Sequence, residues 1–140
     1  MFKHLIPTAL LGLVVPLFAL SGPLMAQDKA APQAKVTDLM TRPLPDFPGR
    51  EALMITVEFP PGGKDPVHRH DADAFIYVLE GSIVMGVQGQ PEVTLKPGDS
   101  WYEGPDDIHN VGRNASMTKP AKFLVVALKK AGAPLAIPVH

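Results

Sequence analysis

The chain has 140 residues, with 13 Lys and Arg against 14 Asp and Glu, and no cysteine. So even a charge balance argues against nucleic acid or an anionic membrane surface as a partner. Disulfides are excluded, and the fold must be held by packing, or by packing together with a metal ion.

At the N-terminus, Lys3 and His4 precede an apolar run from Leu5 to Leu20, and small and polar residues follow to Ala26. A short positive region, an apolar core and a small residue at the break are the parts of a secretory signal peptide, predicting cleavage after Ala26. Pro7, Gly12 and Pro16 interrupt the run, which is shorter than the roughly 20 residues of a membrane span. The expected mature chain is residues 27–140, 114 in all, enough for one domain. It is expected to be periplasmic or secreted, with no membrane attachment after cleavage.

Residues 27–49 read as a leader and a proline-rich segment. Gln27 to Gln33 is rich in Ala, Pro and charge, and Val36 to Met40 is predicted as a short strand. Thr41 to Gly49 carries three prolines in nine residues, which predicts an ordered loop. The domain proper is expected over residues 50–140. Leu53, Ile55, Val57 and Phe59 alternate with Ala52, Met54, Thr56 and Glu58, the pattern of a half-buried strand. Pro60-Pro61-Gly62-Gly63 stops it.

Further strands are predicted over 75–80, 83–88, 92–96, 100–103 and 123–128. Gly81-Ser82, Gly89-Gln90-Pro91 and Pro97-Gly98-Asp99 supply the turns between the first four of them. The apolar tail Ala133 to Val139 is expected to pack along an edge. No stretch combines helical periodicity, caps and length. Short strands with Gly/Pro turns at close intervals predict an all-β sandwich or small barrel.

The chemistry-bearing residues are His68, His70 and His109. On an extended strand, residues i and i+2 face the same way about 6–7 Å apart, so His68 and His70 can converge on one ion. His109 follows the hairpin that Pro97-Gly98-Asp99 opens. Three neutral imidazoles make a facial metal site with open positions, an arrangement used more for catalysis than for structure. His4 in the leader and His140 at the end are not expected to take part.

The pattern Gly62-x5-His68-x-His70-x3-Ala74-x6-Gly81, followed by Gly98-x5-Gly104-x-Asp106-x2-His109, resembles the two motifs of the cupin superfamily. The resemblance covers about residues 50–128 and implies a jelly-roll-like β-barrel. It also implies a divalent metal held by His68, His70 and His109. In that family a Glu usually stands where this chain has Ala74, and it is the usual fourth protein ligand. Asp73 is a further candidate ligand, although a regular strand would turn it to the opposite face. Losing the Glu shifts the expected ion from Mn towards Fe(II), with Zn, Ni and Cu also suited to a three-His site. The nearest functional analogues are three-His ferrous dioxygenases acting on small organic molecules. A non-catalytic module that binds a metal or small ligand is the alternative.

Of Trp101 and Tyr102, alternation turns one towards the cavity. Tyr102 is a candidate proton donor there. Glu103, Asp106 and Asp107 read as a solvated acidic cluster at the barrel mouth. Ile76, Val78, Met85 and Phe123 are candidate pocket walls. Phe75, Tyr77 and Leu79 share the strand face opposite Ala74, Ile76 and Val78, and a strand apolar on both faces predicts burial on both. A homodimer is the expected cover, with the tail Leu135 to Val139 as the competing one.

Overall fold

The computed structural model describes residues 31–139. The expected signal peptide, residues 27–30 of the leader and His140 lie outside the described residues.

The described residues form ten strands: β1 Lys35–Pro43, β2 Arg50–Phe59, β3 His68–Arg69, β4 Ala72–Glu80, β5 Ile83–Val87, β6 Val93–Leu95, β7 Ser100–Glu103, β8 Ile108–Asn114, β9 Ala121–Lys130 and β10 Ile137–Pro138. They form two five-stranded sheets, ordered β1-β2-β9-β4-β7 and β10-β3-β8-β5-β6, and every pairing is antiparallel. The all-β sandwich expected from the turn spacing is what forms.

Alternation sets the core. On β2, Ile55, Val57 and Phe59 are buried, as predicted, and β9 answers with Ala121, Phe123, Val125 and Ala127. Phe59 and Phe123 meet with ring centroids 5.4 Å apart at 51°, a tilted contact that aromatic quadrupoles favour. Ile76, Val78, Ile83 and Leu95 close the interior.

The turn after β4 requires glycine. Gly81 has φ +68°, and a Cβ there would stand 2.5 Å from the Pro120 carbonyl oxygen, so both conformation and space exclude a side chain.

Two segments differ from the sequence reading. Thr41–Pro43 belong to β1 and not to a loop. Because β1 is an edge strand paired only with β2, Pro43 can lack an N–H without breaking a ladder. The chain around His109, predicted only as the return of a hairpin, is the seven-residue strand β8. The tail behaves as expected: Ile137 pairs with Arg69 and Pro138 with His68 along the edge of the second sheet.

Candidate metal centre

The second sheet brings the three histidines together. His68 on β3 stands directly opposite His109 on β8, and their rings stack 5.2 Å apart at 23°. His70 lies just past β3, its ring centroid 4.8 Å from that of His68 and 5.1 Å from that of His109. One ligand nitrogen from each falls within 4.8 Å of the others.

The surroundings decide which nitrogen each imidazole offers. His68 Nδ1 lies 2.8 Å from the Pro66 carbonyl oxygen, and His70 Nδ1 lies 2.7 Å from that of Leu135. A carbonyl oxygen only accepts, so Nδ1 carries a hydrogen in both rings. His109 Nδ1 lies 3.1 Å from Glu103 Oε1, another acceptor, and its Nε2 is buried with no hydrogen-bond partner. The three contacts set a hydrogen on Nδ1 of each ring, so Nε2 is the nitrogen each ring can offer to an ion, at His70 once the proton shared with Glu103 is released. Acceptors of this kind behind metal-bound imidazoles orient the rings and raise their basicity. An orphaned buried nitrogen such as His109 Nε2 otherwise costs about 1–3 kcal/mol. The donor set therefore fits a divalent transition metal.

Glu103 is a correction to the solvated cluster expected at the mouth. It is only 4% exposed, with Oε1 on His109 and Oε2 3.3 Å from His70 Nε2. Trp101 pairs with Ile76 and Glu103 with Ala74, so residues 101 and 103 of β7 point inward with those buried side chains and residue 102 points out. Alternation from Trp101 was the signal in the sequence, but it did not tell which of Trp101 and Tyr102 faces in. Burial alone would raise the Glu103 carboxyl, but its contacts with His109 and His70 hold it below the usual carboxylate range. Burial alone would lower His70, but Glu103 and the Leu135 carbonyl hold it above its ordinary value. His68, lacking a carboxylate contact, is pushed down by burial.

The structure takes the other two candidates away from the histidines. Tyr102 is half exposed on the outer face, and its hydroxyl donates to Asp73 Oδ1 at 2.7 Å. Neither residue lines the cavity. Asp106 is exposed, and Asp107 accepts from the Gly104 N–H to tie the turn before β8.

The cavity has a volume of about 340 Å³. Its walls include Ile55, Ile76, Met85, Phe123 and Val125, with the histidines, Glu103 and Asp65 as its polar groups; of the four predicted walls, Val78 belongs to the core instead. Asp65 had no sequence signal. Its backbone N–H donates to the Gly112 carbonyl at 2.8 Å, fixing the loop before β3 against β8. Burial, then the Glu103 carboxylate, push its carboxyl up to about 6. Leu135 and Ala136 of the tail form another part of the wall, so the segment that orients His70 also encloses the site.

No curated protein matches the chain. Among solved structures, it is similar to a cupin-like protein from Thermotoga maritima, with 20% identity, a TM-score of 0.62 and 76% of each chain covered. It is similar to the DMSP lyase DddQ from Ruegeria pomeroyi, with 23% identity and a TM-score of 0.55 over 63% of this chain and 43% of that one. The chain therefore spans less than half the length of DddQ. The polyketide cyclase RemF from Streptomyces resistomycificus shares 24% identity at a TM-score of 0.55, with 78% of each chain covered. Identities this low carry the fold and not the reaction. The cupin domain profile matches residues 55–127, from the core strand β2 through both histidine motifs into β9, and the chain belongs to the cupin domain family.

Proposed function

We propose that this chain is an exported, metal-dependent enzyme that acts on a small, largely apolar organic molecule. The observation that carries the reading is the convergence of one ring nitrogen from each of His68, His70 and His109, all within 4.8 Å of one another, beside one apolar cavity. That combination, an apolar enclosure with few convergent polar groups, is the usual form of a small-molecule site. DddQ and RemF, a lyase and a cyclase, agree with small-molecule chemistry.

His68, His70 and His109 would hold the ion through Nε2. When bound, a ferrous or similar divalent ion supplies Lewis acidity or a redox centre for the three-His dioxygenase type of chemistry. The chain's own residues do the rest. Ile55, Met85, Phe123 and Val125 bind the apolar body of the substrate and exclude water. The Pro66 and Leu135 carbonyls and Glu103 hold the rings in register. Asp65 presents a carboxyl in the same cavity that can hold or accept a proton at Oδ1 or Oδ2.

The test is metal analysis of the purified protein and of single His68→Ala, His70→Ala and His109→Ala variants, followed by turnover assays with small diketones, thiols and phenols under air and under nitrogen. The expected result is about one ion per wild-type chain, loss of the ion from each variant with the β-sheet circular dichroism retained, and turnover only in loaded protein. Full metal occupancy in the triple-alanine variant would refute the site. Loaded protein that binds such molecules without converting them would make it a capture module.

A further inference from the structure

We propose that Lys129 and Glu51 are positioning residues for the metal centre: they anchor the C-terminal tail as a strap that fixes His70 and closes the cavity. This rests on the three-histidine centre proposed above and names what holds that centre in shape.

Lys129 ends the inward-facing row of β9. Ala121, Phe123, Val125 and Ala127 precede it in that row, and at residue 129 an ammonium takes the next inward place, only 5% exposed. Lysine is almost never buried to this extent without partners. Its cross-strand neighbours are Glu51 on β2 and Ala72 on β4. Nζ donates to Glu51 Oε1 and, at 2.6 Å, to the Ala133 carbonyl. Glu51 Oε1 also accepts from the Gly132 N–H at 3.2 Å. A buried ion pair on the first sheet therefore holds Gly132 and Ala133, where the chain turns out of β9 into the tail.

The tail's part in the site depends on that hold. Two residues after Ala133, the Leu135 carbonyl accepts from His70 Nδ1 at 2.7 Å, and Leu135, Ala136 and Pro138 line the cavity. Two residues of chain span at most about 7 Å, so the anchor and the His70 contact move together. Past that contact the tail has few ties of its own. β10 is two residues long, and a pairing this short is marginal by itself. Pro138 brings no N–H, and the Val139 N–H reaches the Val67 carbonyl only at 3.4 Å. The tail thus crosses from the first sheet to the second as a strap with one strong end, and the Lys129–Glu51 pair is that end.

A pair that only seals the end of the barrel would affect stability alone. The two roles can be separated by pinning the tail in another way, because the chain has no cysteine. Arg69 and Ile137 are direct partners between β3 and β10. The Cα atoms of antiparallel partners stand about 4.5–5.5 Å apart, within the range of a disulfide. Alternation along the strand turns residue 69 away from the face that carries His68 and His70.

The test has two readouts: Zn(II) affinity by chelator competition, and the His70 Nδ1–H proton resonance in zinc-free protein, which persists only while a hydrogen bond protects it from exchange. The proteins are wild type, Glu51→Leu/Lys129→Met, and each of these carrying Arg69→Cys/Ile137→Cys, oxidised and reduced. Removing both charges avoids stranding one of them in the interior, and thermal melts check each fold. Glu51→Leu/Lys129→Met should weaken Zn(II) at least about tenfold, the scale seen when a group behind a metal-bound imidazole is lost. Its His70 resonance should disappear. Oxidation of the pinned form should restore the resonance and bring Zn(II) affinity to within about threefold of wild type, and reduction should undo both. Where the ion pair is intact, oxidation should change affinity less than about twofold. If the double variant does not fold, Glu51→Gln takes its place, with a loss of at least about threefold expected and the same recovery on pinning. A folded variant with wild-type zinc affinity and an unchanged His70 resonance would overturn the proposal. So would a loss that pinning does not recover, because the pair would then act on the barrel and not through the tail. Wild type that binds no zinc would overturn the three-histidine centre instead, while the His70 resonance, read without metal, would still decide whether the strap is held by this pair.

Discussion

Replacing Asp65 with Asn tests whether the polar groups around the centre are as dry as their packing implies. Burial and the Glu103 carboxylate raise the Asp65 carboxyl from 3.8 to about 6. The folded state then binds the proton more tightly than the unfolded chain. The stability linked to this group is full below about pH 3.8 and falls as pH rises through about 6, because the native state carries more bound proton across that window. At 1.36 kcal/mol per pH unit the difference is worth about 3 kcal/mol. Asn keeps the shape and cannot ionise. In chelator-treated protein, the stability of Asp65→Asn relative to wild type should therefore grow by about 2.4 kcal/mol between pH 4 and pH 7.5. With a urea dependence of about 1–3 kcal/mol/M for a small domain, the relative shift in midpoint is about 1–2 M or more. Urea titrations followed by circular dichroism at several pH values read this directly. A bound divalent cation stabilises the carboxylate and should shrink the difference. Parallel pH profiles for variant and wild type would mean that the Asp65 carboxylate is hydrated, and the argument from burial would fail.

Two other expectations address assembly and export. On the outer face of the first sheet, Met40, Met54, Val126, Phe75 and Tyr102 form one cross-strand row over all five strands, with Tyr77 and Leu79 exposed beside it. A patch of this kind is more than a soluble monomer usually leaves in water, and the tail that competed for it in the sequence lies on the other sheet. The protein should run as a homodimer at micromolar concentration by light scattering, weakened by Tyr77→Glu or Phe75→Asp; a stable wild-type monomer would refute this. Protein recovered from the native host should begin at or near Gln27, and N-terminal sequencing that finds Met1 on a membrane-bound chain would refute export.

Much of this protein is written locally in the sequence. The alternation of Ile55, Val57 and Phe59, the prolines and glycines between strands, and the His68/His70 spacing depend on residues close in the chain, and local periodicity suffices to read them. The same holds for the two motifs that carry the family resemblance. The carboxylates of the site were not legible in this way. Glu103 sits among Asp106 and Asp107 in a segment that reads as acidic and solvated. Only the pairing of β7 with β4, which sets Glu103 against Ala74, turns it inward onto His70 and His109. Asp65 lies in a loop without periodicity, and the hydrogen bond to Gly112 on β8 brings it to the cavity. The Leu135 carbonyl behind His70 is 65 residues away in sequence. Strand composition determines that a β-sandwich with three histidines forms. Register and long-range pairing, which no single segment encodes, decide which carboxylates and carbonyls surround those histidines, and so which of their nitrogens are free to bind an ion.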